Sequence, residues 1–421
     1  MLCGLGALPA LKEVAAPFGP TYAPQAFGAV PDGVSDCTDP LQRTIDAAGQ
    51  AGGRVVIAGG VFVITDEIAL RRPGLALTGD GIIRAGRNFN RTPGKALLGV
   101  SARNVRIEGI GLDQDDRMIR GASIRAIRAA GLGVHGLSSR GTQYAFVVLG
   151  DECRDVEIVS CDHRGRGYGV IAPDSRGLAR ILIRDCIFEH PGDGSVGDGV
   201  ELNCPTHGAE EVWLIDLVAR GYVGEASNAG MGFGFARVRH SALVRVRAAD
   251  CEGDGFHWEN GSHDAIVLSC SAFRTGRRHP VGGNGSGFVA YDSDRWLGRD
   301  LEARNCWYHG IALSSPYGGR MAVGGRILNC RALGTGRDGL HIAGQRDFEI
   351  SRCVVRDPSR CAAWRYAGIQ IGWRGRRQAA CRDGRGAGNA IELTGATRPL
   401  GGLVIHPESR DIRIETTLRR V

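Results

Sequence analysis

The chain has 421 residues, of which 43% are hydrophobic and 6% aromatic, so it is long enough to bury a large core of small and branched aliphatic side chains. Glycine contributes 65 residues without a Gly-X-Y period, which excludes collagen, and the apolar stretches are too short for a transmembrane helix. The net charge of +7 comes from scattered arginines, so we expect neither a nucleic-acid nor a membrane partner.

The N-terminal residues 1–10 are mildly apolar, and the first basic residue is Lys12. A secretory signal begins with a positively charged region, so this segment is a poor match to one. The sequence therefore leaves the cellular location open.

The first predicted helix follows the turn-forming stretch FGAVPDGVSD at 27–36. An aspartate and a proline at 39–40 supply an N-cap and a first-turn proline. This pattern predicts a short amphipathic helix at 40–49, whose apolar face is formed by Leu41, Ile45 and Ala48. The valine-rich segment at 54–65 predicts two strands broken by a pair of glycines.

Two phrases then recur through the rest of the chain. One is a glycine followed by apolar residues at the first and third positions, and it begins at Gly169, Gly199, Gly232, Gly255, Gly287, Gly310, Gly339 and Gly368. The other ends at a cysteine, at Cys161, Cys186, Cys270, Cys306, Cys330 and Cys353. Two strands in each short repeat predict a solenoid of stacked parallel coils, because the repeats are too short for propeller blades.

Side chains alternate across a strand, so the first and third residues after each glycine should point inwards and the second and fourth outwards. The cysteines of the second phrase are interpreted as a ladder of reduced, buried thiols. Disulfides are the less favoured alternative, and a metal site is less favoured still, because the sequence contains no CxxC pair.

The stretch at 27–65, FGAVPDGVSDCTDPLQRTIDAAGQAGGRVVIAGGVFVIT, resembles the entry cap of the pectate-lyase-like right-handed parallel β-helix superfamily. It departs from the usual form at Pro31, where Gly is usual, and at Ala58, where Pro is usual. The resemblance implies an all-β fold, a single-stranded right-handed parallel β-helix with a short N-terminal capping helix. We predict an N-terminal extension at 1–24, the entry cap at 25–68, the β-helix at 69–375 and closing strands at 376–421.

The superfamily includes pectate and alginate lyases, alginate epimerases, polygalacturonase-type hydrolases and phage tailspikes, so the scaffold does not specify the reaction. The resemblance implies an enzyme that acts on a polysaccharide or oligosaccharide in a groove along the solenoid. A non-catalytic, tailspike-like binding solenoid stays open as an alternative. The substrate class favours a secreted, periplasmic or virion protein, and the tailspike members imply a homotrimer or another homo-oligomer.

The polar residues expected to point outwards lie mainly in the middle coils. Glu201 lies two repeats before His257 and Glu259, and the repeat between them offers only Gly234 and Ala236. These small residues should leave a floor on which a sugar ring could fit. We therefore predict that Glu201, His257 and Glu259 are the catalytic residues.

The sequence favours β-elimination or epimerisation of an acidic polysaccharide or oligosaccharide, with which the net charge of +7 is consistent, and it leaves hydrolysis open as the alternative. In a β-elimination lyase or epimerase, His257 would be the base and Tyr291 the acid, while Asn203 or Arg237 would stabilise the developing enolate. In a hydrolase or transglycosidase, two glutamates would be acid and base or nucleophile, with a histidine tuning one of them. Substrate binding is predicted for Asn203, Arg237, Tyr291, His341 and Asp254.

The phrase DGFHWEN at 254–260 resembles the YGFDPHE strand of alginate epimerases in spacing. Asp254 stands where that family has Tyr, His257 where it has Asp, and Glu259 where it has His, so the resemblance supports the position of the site and not the reaction. The NTD, DD, GHG and RIK motifs of polygalacturonase-type hydrolases do not occur in order, which disfavours that subclass. No metal or cofactor is expected, and calcium is disfavoured because Asp174 and Asp292 lie in distant coils.

Overall fold

The computed structural model describes residues 19–90, 92–115, 121–193, 195–224, 230–276, 285–315, 320–372 and 379–421. Their strands pair in parallel with the strands of the neighbouring coils and form a parallel β-helix, as the sequence predicted. Each regular coil contributes three strands, to three faces that we call sheets I, II and III. The prediction of two strands was wrong because the strands of sheet III are mostly three residues long, too short to show an alternating pattern.

Sheet I has 13 strands among the described residues, and their spatial order follows the chain. They are Ile68–Leu70, Ala96–Val100, Ala122–Ala126, Ala145–Leu149, Tyr168–Pro173, Val200–Asn203, Phe233–Ala236, Phe256–Glu259, Phe288–Tyr291, Ile311–Ser314, Leu340–Ala343, Ala367–Ile371 and Gly401–Ile405. Most of these strands carry the repeated glycine phrase.

Sheets II and III adjoin each other on the other two faces. The strands of sheet II are Thr21–Tyr22, Arg54–Ile57, Ala76–Gly79, Arg106–Glu108, Gly133–His135, Arg154–Val159, Leu178–Arg184, Ala209–Ile215, Val238–Val244, His263–Leu268, Leu297–Arg299, Ala322–Val323, Arg326–Leu328 and Gln345–Ser351. Those of sheet III are Asp32–Asp36, Val61–Ile64, Ile82–Ala85, Gly111–Asp113, Ser138–Arg140, Asp162–Arg164, Ile187–Glu189, Val218–Arg220, Arg247–Ala249, Ser271–Phe273, Glu302–Arg304, Arg331–Leu333 and Val354–Arg356. The long strands Arg382–Leu393 and Arg410–Arg420 run through both sheets.

The α-helix Thr38–Gln50 takes the place of a sheet I strand in the first coil, after a 3-10 helix at Pro24–Phe27. The side-chain amide of Gln42 pairs with the first strand of sheet I, donating to the carbonyl of Ala69 at 3.1 Å and accepting from its N–H at 2.9 Å. The helix thus covers an edge strand that would otherwise expose unpaired backbone groups. It begins two residues earlier than predicted because Asp36 accepts the N–H of Thr38 at 2.9 Å.

One continuous apolar core runs inside the solenoid. Under the middle of sheet I, Phe233, Phe256 and Phe288 stack with ring centroids 5.1 and 4.6 Å apart. Phe235 and Trp258 form a second stack at 5.3 Å. These residues hold the first and third positions after their glycines, so the predicted inward direction is confirmed for them, and the stacks give the groove above a packed base.

The six cysteines of the second phrase are buried, as predicted, and every cysteine among the described residues is a free thiol. Five of them follow a residue of positive φ at the corner between sheets II and III, namely Cys161, Cys186, Cys270, Cys330 and Cys353. Cys306 lies instead after sheet III, at the next corner, so its assignment to the same ladder was wrong. The local pattern of a short strand, a turn residue and a cysteine is similar at both corners.

Parallel pairing extends from Thr21 to Arg420 through the described segments. The entry cap and the residues at 379–421 therefore share the ladders of the central coils, while the domain boundaries drawn from the sequence stay predictions. The α-helix has 13 residues, and no helix in the described part of the chain could span a bilayer.

Candidate active site on sheet I

The register of sheet I places Glu201, Gly234 and His257 in one row across three neighbouring strands. A second row, two residues farther along the same strands, contains Asn203, Ala236 and Glu259. Strands lie about 4.8 Å apart, so the Cα atoms of Glu201 and His257 are about 10 Å apart. The structure thus brings the three predicted catalytic residues together on one outward face.

His257 lies between two carboxylates. Its Nδ1 is 2.8 Å from Oδ2 of Asp254, and its Nε2 is 3.6 Å from Oε2 of Glu259. Burial acts to lower the pKa of His257, but the two carboxylates outweigh it and raise that pKa to about 9. The imidazole is therefore cationic at neutral pH, and its contact with Glu259 lowers the pKa of that carboxyl group.

Asp254 is held from below by the next coil. Its Oδ1 accepts the backbone N–H groups of Gly285 at 2.8 Å and Ser286 at 2.6 Å. Only 1% of its side chain is exposed, so Asp254 lies below the groove surface, and its role in substrate binding stays a prediction. Asp254 positions His257, because both of its oxygens are committed to protein donors.

Glu201 is the second ionisable group of the groove. Burial raises its pKa to about 7, with the negative charge of Glu259 acting in the same direction and a hydrogen bond to Asn203 opposing it. Beneath it, burial and the charge of Glu201 raise the pKa of Asp198 well above its ordinary value, and Asp198 accepts the backbone N–H of Met231. Asp198 and Glu201 therefore retain protons near neutral pH.

Sequence reasoning missed Asp198, although its signal is present. Asp198, Asp254 and Asp338 each precede the glycine of the repeated phrase. In all three coils the aspartate carboxylate accepts a backbone N–H from the equivalent position of the next coil, at Met231, Ser286 and Ala367 respectively. An Asp-Gly pair at this position therefore marks coils whose outward face is polar.

Aromatic rings border both ends of the cluster formed by Asp198, Glu201, Asp254, His257 and Glu259. The ring of Tyr291 meets that of His257 edge-on, with centroids 5.2 Å apart. At the other end, Tyr144 and Tyr168 form an edge-on pair at 5.7 Å. Burial raises the pKa of the Tyr168 hydroxyl, and the charge of Glu201 adds to that effect. Such rings are suited to stacking on the apolar faces of a ligand.

The floor between Glu201 and His257 differs from the prediction of an empty surface. A Cβ placed on Gly234 would lie 3.1 Å from the terminal methyl of Met231 and 3.7 Å from Cγ of Glu201. Gly234 and Ala236 are both buried. The gap is therefore lined by a flexible thioether that can adjust to a ligand.

Two of the predicted binding residues lie away from the cluster. Arg237 donates from Nη1 to the carbonyl of Thr206 at 2.9 Å, which ties its guanidinium to a turn beyond the end of its strand. His341 is in the same row as His257 but three strands farther along, where its Nδ1 is 2.9 Å from Asp338. The contact of Arg237 does not follow from the alternation of one strand, since it depends on a turn of another coil.

No family model and no curated protein matches the chain. Solved structures do match it over most of its length. The surface adhesin PfbA of Streptococcus pneumoniae is 11% identical, with a TM-score of 0.55 and coverage of 91% of both chains. The family 28 exopolygalacturonase of Yersinia enterocolitica is also 11% identical, with a TM-score of 0.55 and coverage of 96% of this chain and 79% of the enzyme.

A third match is the catalytic unit of the GH87 α-1,3-glucanase of Streptomyces thermodiastaticus. It is 12% identical, with a TM-score of 0.51 and coverage of 97% of this chain and 70% of the other. The protein has the parallel β-helix fold. At these identities the likeness establishes the fold of this β-helix protein and nothing about its reaction.

Proposed function

We propose that this β-helix protein is a carbohydrate-active enzyme, a glycoside hydrolase that works in the sheet I groove. The observation that carries the proposal is a pair of glutamates whose pKa values are displaced in opposite directions. The pKa of Glu201 is raised to about 7, whereas that of Glu259 is lowered by His257. One protonated and one ionised carboxyl group across a cleft are what acid-base hydrolysis of a glycoside requires.

In the proposed mechanism Glu201 donates its proton to the glycosidic oxygen as the bond to the anomeric carbon breaks. Glu259 accepts a proton from a water molecule that attacks that carbon from the opposite face. The two residues stand two strands apart in neighbouring rows, which leaves room for the gap of about 6.5–9.5 Å that inverting glycosidases keep between their carboxyl groups. Hydrolysis should therefore invert the anomeric configuration.

The surroundings support these roles. The His257 cation keeps Glu259 ionised, and Asp254 fixes the imidazole that does so. The rings of Tyr144, Tyr168 and Tyr291 border the cleft and could stack on sugar faces. Two of the structures that share the fold are named as glycoside-cleaving enzymes, whereas the third is named as an adhesin, so the fold is compatible with the proposal without selecting it.

β-Elimination or epimerisation of a uronate is the second candidate. The Tyr291 ring beside His257 favours it, because a hydroxyl and an imidazole could serve as acid and base. Two features weigh against it. The raised pKa keeps His257 protonated, so it is a poor base at neutral pH, and the carboxyl groups of the cluster outnumber its single cation, which disfavours an anionic sugar.

A glycan panel tests the proposal. The protein is incubated with neutral and acidic polysaccharides, and three signals are followed: new reducing ends, the ultraviolet absorbance of an unsaturated uronate, and the anomeric configuration of the product by NMR. The proposal expects reducing ends of inverted configuration without the absorbance. Appearance of the absorbance would show elimination, and binding of a glycan without any product would show a non-catalytic solenoid.

A further inference from the structure

A second cluster of buried polar side chains lies on sheet I, away from the carboxylates described above. It consists of His309, Asp338 and His341, each no more than 7% exposed. One ligand atom from each residue lies within 4.8 Å of the other two. Asp338 Oδ2 is 3.3 Å from Nδ1 of His309 and 2.9 Å from Nδ1 of His341. The three side chains come from two adjacent coils.

Two of the separations between these donor atoms are close to those found around a metal ion. Zinc binds imidazole nitrogen and carboxylate oxygen at about 2.0–2.2 Å, and tetrahedral geometry then places neighbouring ligand atoms roughly 3.3 Å apart. The two separations from Asp338 Oδ2, 2.9 and 3.3 Å, are close to that value. Two imidazoles and one carboxylate also form a donor set that zinc uses with an open fourth position.

His309 also supplies an observation that points to a missing ligand. Its Nδ1 is buried and has no hydrogen-bond partner among the described residues. Although Asp338 is 3.3 Å away, that contact does not have hydrogen-bond geometry. A buried polar atom without a partner is costly, and a metal ion at this position would satisfy it.

The cluster is held in place by its own neighbours. Oδ1 of Asp338 accepts the backbone N–H of Ala367 at 2.7 Å, which leaves Oδ2 facing the imidazoles. The rings of His309 and His341 stack at 4.3 Å, and Tyr308 meets His309 edge-on at 4.5 Å. Such fixed orientation of ligands is typical of metal sites. Arg337, stacked on Tyr308 at 3.5 Å, favours an anionic fourth ligand.

We propose that His309, Asp338 and His341 bind one divalent transition-metal ion of the zinc class, with a fourth position open towards the groove. His341 lies three strands from His257 in the same row, so this site is about 14 Å from His257. The proposal is therefore independent of the reaction proposed above, and it replaces the expectation from the sequence that no metal is bound.

Metal titration tests the site directly. Tag-free protein is stripped with a chelator, dialysed and titrated with Zn²⁺ by calorimetry, and with Co²⁺ by visible absorption. We expect one ion per chain, the visible bands of four-coordinate Co²⁺, and a higher melting temperature with Zn²⁺. His309→Gln and Asp338→Asn should each lower the affinity by at least about 10-fold, while circular dichroism without metal stays like that of the wild type.

The matched control is His257→Gln. His257 has the same Asp-Gly-apolar-His arrangement but no second histidine beside it, so the variant should bind Zn²⁺ like the wild type. Three results would overturn the proposal: no stoichiometric binding by the wild type, unchanged affinity in His309→Gln and Asp338→Asn, or an equal loss in His257→Gln. The Co²⁺ spectrum of the wild type decides the matter even where a variant fails to fold.

Discussion

Asp254 accepts the imidazole N–H of His257 at 2.8 Å with one carboxylate oxygen, and its other oxygen accepts two backbone N–H groups of the next coil. Asp254 therefore links two neighbouring coils. The link needs an aspartate before the repeated glycine and a histidine three residues later. The raised pKa of His257 in the groove therefore depends on the contact between two stacked coils. Asp338 and His341 repeat the arrangement farther along sheet I.

The first prediction concerns Glu201 as the general acid. Glu201→Gln should lower turnover on a hydrolysed glycan by at least about 100-fold, because the amide cannot donate the proton. In the wild type, activity should fall as pH rises through about 7, where Glu201 loses its proton, and on the acid side as Glu259 becomes protonated. Initial rates across pH measure both limbs.

Gln370→Ala is the control for Glu201→Gln. Gln370 lies in the same row, and its amide donates to the carbonyl of Gly372 at 2.7 Å rather than to the cluster. Its replacement should leave turnover within about 2-fold, as is usual for a surface position. Near-full activity of Glu201→Gln would remove Glu201 from the mechanism.

The second prediction links His257 to stability. Its pKa is about 9 in the folded protein, against 6.5 as its ordinary value. The folded state therefore holds the proton more tightly, and the resulting stabilisation, of roughly 3 kcal/mol, is complete below about pH 6.5 and is lost as pH rises through about 9. Urea unfolding at a series of pH values measures this loss.

His257→Gln should flatten that part of the pH dependence, because the variant has no group to titrate there. His240→Gln is the control, since the His240 side chain is 60% exposed. It should keep the wild-type slope between about pH 6.5 and 9. An unchanged slope in His257→Gln would contradict the raised pKa of His257.

The third prediction concerns thiol reactivity. Burial raises the pKa of Cys153 to about 11 and that of Cys270 to about 12, so their reactive thiolates are scarce. Cys361 is the one exposed thiol among the described residues. In a Cys3→Ser background, which removes the cysteine outside the described residues, a thiol reagent should label Cys361 quickly and the others only after unfolding.

Adding Cys361→Ser to that background should abolish the fast phase. Fast labelling of several further thiols in the double variant would show that the buried cysteine ladder is open to solvent.

The fourth prediction concerns the cap of sheet I. Gln42→Ala removes both hydrogen bonds to Ala69 and should lower the free energy of unfolding by about 1–3 kcal/mol, since it leaves backbone groups without partners. Chemical denaturation measures the change. Gln50→Ala, an exposed position at the end of the same helix, should cost much less, and equal effects at the two positions would argue against the cap.

The sequence alone determined the scaffold and the orientation of its side chains. The alternation after each glycine placed Glu201, His257 and Glu259 outwards and the phenylalanines inwards, because a strand exposes successive side chains on opposite faces. The turn-helix-strand pattern at 27–65 predicted a capping helix, although its first residue depended on Asp36. The burial of the cysteines likewise followed from their small, apolar character at repeated turns.

Only the tertiary structure decided which of these residues act on one another. Asp198 and Glu201 hold protons chiefly because of burial. His257 is a cation because two carboxylates of its own coil reach it, one of which, Asp254, is fixed by backbone N–H groups of the next coil. Arg237 turns to Thr206, and His341 joins His309, for the same kind of reason. The backbone contacts that fix Asp254, the contact of Arg237 and the approach of His309 to Asp338 join residues about thirty positions apart, which local alternation cannot encode because the coil lengths vary.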